Sequence, residues 1–206
     1  TCCWSLTEPE AGTEAAGTRS TGTLSGGSWV WNGGKTFTTN AQYAQVCVAM
    51  CVTDRAAAAH GISAFIIEAD APGFRVGKKE NKLGMRASAT GEVLFQDCRL
   101  PQSQLLGKPG EGFVDSLRIL DGGRISIAAL AVGTAQGAFD AALRYSKQRK
   151  QFGRPISEFQ AIQNKLADMA TSIEAARLMT YRAGAMKDRD ERVTKESAMA
   201  KLFASE

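Results

Sequence analysis

The chain has 206 residues, of which 44% are hydrophobic and 22% charged, and its formal net charge is +4. Such values are ordinary for a soluble globular protein with one large domain or two small ones. No uninterrupted apolar run approaches the ~20 residues that cross a bilayer, so we expect no membrane insertion. The mild positive charge, without a basic stripe interleaved with aromatic residues, argues against a nucleic-acid partner.

Cysteine and histidine usage excludes further kinds of site. The five cysteines form no CxxC pair, and the only histidine is His60. An odd number of cysteines argues against a disulfide framework and fits a reducing compartment. One histidine cannot build a His-based metal cluster, so no metal site is predicted. Cys47 and Cys51 lie four residues apart in a predicted strand, so we expect both to face the core.

The first half of the chain predicts β structure. From Arg19 to about Leu100, short segments rich in β-branched and aromatic residues alternate with Gly, Asn, Asp and Pro. Short strands at this spacing predict an antiparallel sandwich or barrel. The tripeptide Asn32-Gly33-Gly34 is a hairpin signal. The predicted strands cover residues 28–32, 35–40, 45–52, 62–68, 74–79 and 92–98.

The second half predicts helices. Residues 111–149 contain no proline and much alanine, a second helix is predicted over about 157–187, and a third begins near Val193. The second helix carries an apolar stripe of the kind that packs in a bundle. Its members are Phe159, Ile162, Leu166, Met169, Ile173 and Ala176. The domains are therefore expected at 1–108 and 109–206. The chain starts without methionine and stops inside an apparent helix, as expected of part of a longer protein.

Two polar segments of the first half are candidates for ligand contact. Residues 6–14 form a turn in which Gly12 would allow close approach of a ligand to the backbone. Residues 35–40 are rich in threonine. An ordinary loop and a half-buried strand end explain these segments equally well, so both interpretations stay open.

Two segments of the second half are harder to dismiss. Adjacent glycines in LDGGR, residues 120–124, cost on the order of 1 kcal/mol each in a helix relative to alanine. They favour either a tight helix crossing or a ligand that needs access to the backbone. The cations Arg149, Lys150 and Arg154 surround a helix break, and they form either a solvated face or a landing site for cofactor phosphates.

A local role competes with ligand contact for Gln160, because Ser157 and Gln160 fit an S-x-x-Q capping box. Neither GxGxxG after a strand nor GxxxxGK[ST] occurs, so these motifs identify no cofactor.

Seven motifs in order give the chain a resemblance to the acyl-CoA dehydrogenase family. They are LTEPEAGTE (6–14), NGGKTFTTN (32–40), FQDCRLP (95–101), GEGF (110–113), LDGGR (120–124), RKQFGRPI (149–156) and LADMA (166–170). The resemblance covers essentially the whole chain. It implies an α+β multidomain fold, with a middle antiparallel β domain followed by part of a C-terminal four-helix bundle and no N-terminal helical domain.

The resemblance implies FAD bound between domains and between subunits of a homotetramer. The implied contacts are Trp4, Leu6, Thr7, Gly12, Thr13, Phe37, Thr38 and Thr39, with Arg149, Phe152 and Gln160 reaching the FAD of a neighbouring subunit. Leu6 and Thr7 would hydrogen-bond to the flavin ring, and the Thr39 hydroxyl would lie close to N5. Arg149 would pair with the pyrophosphate.

The resemblance also implies an acyl-CoA substrate and electron transfer to an electron-transferring flavoprotein. Thr13, Asp121, Gly122, Gly123 and Arg124 would contact the substrate. The DGGR and RKQFG segments resemble short-chain and short branched-chain members, which favours butyryl-CoA or isobutyryl-CoA. The compartment would be the cytoplasm in bacteria and the mitochondrial matrix in eukaryotes.

The catalytic base is expected outside residues 1–206. In the family, a glutamate removes the α proton while the β hydrogen leaves as hydride to flavin N5. One family position for this glutamate corresponds to Gly123, which has no side chain to act as a base. We therefore expect the glutamate after Glu206 and no catalytic residue in this chain.

Three positions depart from the common family residues: Thr13 replaces serine, Glu14 replaces aspartate and Phe37 replaces tryptophan. Phe37 keeps an aromatic face but lacks the indole N–H donor. Two other interpretations remain, a related flavin oxidase that uses oxygen and a relative that binds flavin without dehydrogenation.

Overall fold

The computed structural model describes all 206 residues and divides into two compact units, Thr1–Leu117 and Arg118–Glu206. The first unit contains β1 (Cys2–Ser5), β2 (Thr21–Ser25), β3 (Ser28–Thr39), β4 (Val46–Val52), β5 (Ile62–Glu68), β6 (Phe74–Lys79), β7 (Thr90–Pro101) and β8 (Leu105–Leu106). These strands form one eight-stranded sheet in the order β6-β7-β3-β2-β4-β5-β8, with β1 paired to β4. The strands predicted at 62–68 and 74–79 are confirmed to the residue.

Most neighbouring strands are antiparallel, as predicted. The exceptions involve β4, which pairs in parallel with β1, placing Cys3 opposite Cys47, and with β2 at Thr21. Neither β1 nor β2 is predicted from the sequence, because both are short and lack the alternation of apolar and polar residues that marks a strand.

The predicted hairpin at Asn32-Gly33-Gly34 is wrong. β3 continues through these residues, and its pairing with β7 shifts register between Trp31 and Gly33. The Asp97 N–H donates to Asn32 Oδ1 at 2.8 Å, and Asn32 Nδ2 donates to Asp97 Oδ1 at 3.0 Å. Gly33 has a φ of 142°, and a Cβ there would lie 2.7 Å from the Cα of Ser20. The glycine therefore permits a close approach within a strand irregularity.

An aromatic cluster occupies the core of the first unit. The ring centroid of Trp31 lies 3.9 Å from that of Phe95 and 5.8 Å from that of Phe65. Cys47 and Cys51 are buried in the same core, which confirms the prediction that they face it together.

The second unit is helical apart from one short hairpin. α1 (Gly112–Gln148) begins in the first unit, and β9 (Lys150–Gln151), β10 (Arg154–Pro155), α2 (Gln160–Asp188) and α3 (Thr194–Ser205) follow. All three predicted helices are confirmed. The predicted capping box is wrong: Phe159 is the N-cap of α2 and makes no side-chain cap. A 3-10 turn over Ile156–Glu158 places Ser157 too early to cap the helix.

Small residues mediate helix packing in this unit, where Ala128, Ala183 and Ala200 are buried together. On the predicted stripe of α2, Ile173 and Ala176 are buried, whereas Met169 is exposed.

Length and composition alone would also allow α1 to cross a membrane. Apolar helices in the cores of soluble proteins share these properties, so this is weak evidence, and the expected lack of membrane insertion stays a prediction.

Candidate functional site

A buried ion pair that the sequence analysis missed fixes the first candidate segment, residues 6–14, against β3. Lys35 Nζ lies 2.7 Å from Glu8 Oε1 and donates to the Leu6 carbonyl at 3.1 Å. The side chains of Lys35 and Glu8 are 0% and 3% exposed. Two backbone N–H groups also donate to Glu8, at 2.6 and 3.1 Å. The segment is therefore held by a fully partnered buried network.

Burial and pairing act in opposite directions on both charges. Burial raises the pKa of the Glu8 carboxyl, but Lys35 and the hydrogen bonds outweigh this effect, and the pKa lies below its usual value. Burial lowers the pKa of the Lys35 ammonium, and Glu8 offsets that shift only in part. Each charge therefore depends on the other for its stability inside the protein.

Two further contacts join the candidate segments of the first unit. The Thr36 N–H donates to the Thr7 carbonyl at 2.8 Å. The hydroxyls of Ser5 and Thr38 lie 2.5 Å apart and are both buried. The structure thus brings residues 5–8 next to residues 35–38, although the Thr38 hydroxyl is used inside the protein.

Several polar groups in this region have no hydrogen-bond partner within the chain: the hydroxyls of Thr7, Thr13 and Thr39 and the N–H groups of Leu6 and Thr7. The indole Nε1 of Trp4 is also buried without a partner. Gly12 is exposed, and a Cβ there would meet no atom within 4 Å. Unpaired donors beside an accessible backbone fit the polar edge of a flavin, so the residues present are compatible with FAD.

Phe37 is held away from the sheet by its backbone. Its φ of 56° lies in the left-handed region, where a bulky residue is an outlier. It occupies a second register shift of β3 against β7, between Lys35 and Thr38. The side chain is 63% exposed. Such conformations cost on the order of 1–3 kcal/mol and cluster at ligand clamps, and an exposed aromatic face suits a planar ring.

We expect Phe37→Gly to affect folding and cofactor binding in opposite directions. Relief of the left-handed strain should exceed the added entropy of glycine in the unfolded chain, raising the free energy of unfolding of the FAD-free protein by about 0.5–1 kcal/mol. The Kd for FAD should rise because the aromatic contact is lost. Urea titration and FAD fluorescence measure these quantities.

Met85→Gly is the matched control, because Met85 is also exposed with a φ of 50°. It should stabilise the fold similarly and leave the Kd for FAD unchanged. An unchanged Kd for Phe37→Gly would remove Phe37 from the cofactor site.

In the helical unit, Asp121 connects two helices. Its Oδ1 accepts a hydrogen bond from Arg124 on the same helix, and its Oδ2 accepts one from Thr194 Oγ1 on α3 at 2.7 Å. Both carboxylate oxygens are therefore used, and Asp121 orients Arg124. The partly exposed guanidinium of Arg124 has further N–H donors available for an anionic ligand.

The glycine pair is not required for helix packing within this chain. A Cβ at Gly123 would meet no atom within 4 Å, and one at Gly122 would meet only Lys187 Cε, at 3.8 Å. Of the two interpretations of LDGGR, the structure does not support a tight crossing. An accessible helix backbone fits contact with a ligand.

We expect Gly123→Ala to raise the free energy of unfolding by about 1 kcal/mol through its higher helix propensity. In the full-length protein it should also raise the KM for acyl-CoA, because the methyl group narrows access to the backbone. Gly137→Ala, in the same helix with equally open surroundings, is the control and should change only stability. Thermal unfolding and steady-state kinetics test both. Equal KM values in the two variants would contradict a substrate role for Gly123.

The β9–β10 hairpin presents an aromatic side chain at its turn. Phe152 and Gly153 have φ values of 53° and 78°, as in a type I′ turn. The Phe152 side chain is 92% exposed, and its ring centroid lies 6.0 Å from that of Phe159. The Arg154 guanidinium stacks 4.3 Å above the Phe159 ring, which stiffens the base of the hairpin.

Arg149 and Gln160 lie at the two ends of this hairpin segment. The Arg149 carbonyl accepts from the Ile156 N–H at 2.8 Å, which closes the segment. The guanidinium of Arg149 and the amide of Gln160 are exposed and have no partner within the chain. The predicted set of Arg149, Phe152 and Gln160 therefore offers an unpaired cation, an exposed ring and an unpaired amide.

The fold and these features define a two-domain protein of the β-sheet-plus-helical-bundle class. The sequence profile of the acyl-CoA dehydrogenase middle domain matches residues 3–98, and that of the acyl-CoA dehydrogenase C-terminal domain matches residues 110–206. The chain belongs to the acyl-CoA dehydrogenase family.

Relatives and solved structures agree with this assignment. The mitochondrial short-chain specific acyl-CoA dehydrogenase of Mus musculus is 48% identical over 204 residues, which are 99% of this chain and 50% of that protein. Butyryl-CoA dehydrogenase from Megasphaera elsdenii is similar with a TM-score of 0.97 and 44% identity, over 99% of this chain and 54% of that one. A chain in the structure of the electron transferring flavoprotein of Acidaminococcus fermentans has a TM-score of 0.97 and 50% identity, over 100% of this chain and 54% of that one. The chain thus spans about half the length of the curated relatives that it matches.

Proposed function

We propose that the full-length protein is an FAD-dependent dehydrogenase that converts a short-chain or short branched-chain acyl-CoA to the trans-2-enoyl-CoA. The observation that carries this proposal is the joining of residues 6–8 to residues 35–38, which leaves unpartnered donors beside the exposed Phe37. Membership of the family supports the reaction class. The short-chain mouse relative and the butyryl-CoA dehydrogenase structure support the acyl length.

The residues of the first unit would hold the flavin ring. The family is FAD-dependent, and the chemistry that FAD supplies when bound is acceptance of the β hydrogen as hydride. The Leu6 and Thr7 N–H groups and the Thr7 and Thr39 hydroxyls would donate to its polar atoms, with Trp4, Gly12 and Phe37 adjoining. The backbone of Thr38, whose hydroxyl is used internally, would complete the contact.

The residues of the helical unit would contact anionic parts of the ligands. Arg149 would pair with phosphate oxygens of an FAD held by a neighbouring subunit, with Phe152 and Gln160 beside it. Gly122, Gly123 and Arg124 would face the acyl-CoA substrate, with Arg124 oriented by Asp121, and Thr13 of the first unit would also contact this substrate. Because Gly123 cannot remove a proton, we assign α-proton abstraction to a glutamate outside residues 1–206.

Assembly, electron acceptor and location follow from the same proposal. The exposed apolar residues Ile119, Ile127 and Leu130 of α1 support packing against further helices in a homotetramer. The likeness to a chain in a flavoprotein structure and the family resemblance favour an electron-transferring flavoprotein as acceptor. The protein would lie in the bacterial cytoplasm or the mitochondrial matrix.

The test uses the full-length protein. Its visible spectrum is recorded, and butyryl-CoA or isobutyryl-CoA is then added without oxygen. We expect the oxidised flavin bands to disappear, since the substrate reduces the flavin. Bands that no acyl-CoA bleaches would contradict dehydrogenation, and a protein that takes up no FAD would contradict the cofactor. Rapid reoxidation in air would identify the alternative, a flavin oxidase.

A further inference from the structure

The peptide bond between Leu6 and Thr7 has its carbonyl end fixed inside the first unit. The Leu6 oxygen accepts a hydrogen bond from Lys35 Nζ at 3.1 Å, and the Lys35 side chain is 0% exposed. The chain contains no cis peptide bond. In a planar trans peptide the C=O and N–H bonds point in opposite directions. The Thr7 N–H is therefore directed away from the buried ammonium, and it has no partner within the chain.

Glu8 holds the Lys35 ammonium at this carbonyl. Glu8 Oε1 lies 2.7 Å from Nζ, and the Arg19 and Ser20 N–H groups fix the carboxylate at 2.6 and 3.1 Å. The neighbouring Thr7 carbonyl is fixed separately by the Thr36 N–H at 2.8 Å. Both carbonyls that flank the free donor are thus anchored, and rotation of the peptide plane would break a buried, charge-assisted hydrogen bond.

The ammonium also changes the strength of the donor. A positive charge at the carbonyl oxygen draws electron density through the conjugated peptide, and hydrogen bonds in such chains polarise one another. The Thr7 N–H should therefore be a stronger donor than an ordinary backbone amide. Lysine supplies this charge from inside the sheet, without itself reaching the surface.

We propose that Lys35 is a positioning residue for the cofactor: through its pair with Glu8 it orients and polarises the Leu6–Thr7 peptide, so that the Thr7 N–H is presented to the flavin. This inference rests on the proposed function, because it takes the ligand of the free donors to be FAD. It goes further by giving the buried ion pair a role in binding and in tuning the flavin in addition to folding.

The experiment compares the full-length wild type with the double variant Lys35→Met/Glu8→Leu. Replacing a buried ion pair by apolar residues of similar size is often neutral for stability. Here it also leaves the Arg19 and Ser20 N–H groups without their partner, so we expect a folded but less stable variant, and circular dichroism checks its folding. Three quantities are measured: the Kd for FAD of the apoprotein, the reduction potential of the bound flavin, and hydrogen exchange at two amides of the anchored segment. These amides are Thr36, which donates to the Thr7 carbonyl, and Ala11, which donates to the Glu8 carbonyl at 3.1 Å. Lys79→Met, which removes an exposed lysine of β6, is the control.

We expect the double variant to bind FAD about tenfold more weakly, because its Thr7 N–H is a weaker and less firmly oriented donor, and tenfold is the scale of one backbone hydrogen bond. The potential of its flavin should become more negative, because a donor to the electron-rich reduced ring is weakened. Exchange at Ala11 and Thr36 should accelerate. The control should match the wild type in all three. If the ion pair served folding alone, a folded double variant would have the same flavin reduction potential as the wild type.

A double variant with the affinity and potential of the wild type would overturn the proposal. If it fails to fold, Lys35→Gln/Glu8→Gln keeps neutral hydrogen bonds without the charge, and wild-type affinity and potential in that variant would have the same meaning. If the wild type binds no FAD, the proposed function fails, and hydrogen exchange alone tests whether the ion pair anchors the Leu6–Thr7 peptide. Unchanged exchange at Ala11 and Thr36 in the double variant would then overturn this anchoring role.

Discussion

Replacing Lys35 alone with methionine is expected to lower the free energy of unfolding by about 3–5 kcal/mol, because it leaves a buried carboxylate without its counter-charge. Only two backbone N–H groups would remain as partners of Glu8. A domain is stabilised by about 5–15 kcal/mol in total, so this is a large share. We expect few substitutions of exposed residues elsewhere in the first unit to lower the free energy of unfolding by as much.

Urea unfolding followed by circular dichroism measures the loss, with Lys79→Met as the exposed control. The deficit should also depend on pH. Burial is the largest influence on the pKa of Glu8, and without Lys35 only the two backbone hydrogen bonds oppose it. We therefore expect a raised pKa in the folded state, which then binds more protons than the unfolded state. Stability should therefore fall as pH rises through the raised pKa. A deficit below about 1 kcal/mol at neutral pH would contradict a dominant role for the pair.

Arg149→Ala is expected to weaken FAD retention and tetramer stability together, because under the proposed function one side chain serves both. A charge-assisted hydrogen bond to phosphate contributes about 1.5–3 kcal/mol, so the Kd for FAD should rise about 10- to 100-fold. The folding of the isolated subunit should change little, since the guanidinium has no partner within the chain.

The ratio of flavin to protein absorbance and sedimentation of the full-length protein test this expectation. Lys150→Ala removes the neighbouring exposed cation and serves as the control. It should retain FAD and the oligomer. Full FAD occupancy in an intact Arg149→Ala tetramer would contradict the assignment of Arg149.

The sequence predicts best where local pattern and turn residues agree. The strands at 62–68 and 74–79 each follow a glycine, Gly61 or Gly73, and both are observed to the residue. The three helices follow from apolar spacing and the lack of proline. The residue types single out the candidate segments but leave loop and strand-end interpretations open for residues 6–14 and 35–40, and only the resemblance implies FAD as their ligand.

The ion pair could not be predicted by the same means. Lys35 and Glu8 are 27 residues apart, and a charged residue in a strand is usually assigned to solvent. Its inward position depends on the register of β3 against β7, which is set by long-range pairing. The hairpin at Gly33 failed for a related reason, because the same glycine that suits a turn also suits a strand that passes close to Ser20.

The irregularity at Phe37 has a consequence for how this protein can change during evolution. Before it, Trp31 and Lys35 point inwards from odd-numbered positions, and after it Thr38 does so from an even-numbered one. Loss of a single residue between Lys35 and Thr38 would restore strict alternation and leave Thr38 facing inwards, but it would remove the irregularity that exposes the side chain at position 37. Substitutions in this stretch should therefore be tolerated better than insertions or deletions. Among distant relatives, a conserved length of this stretch should outlast the conservation of its side chains.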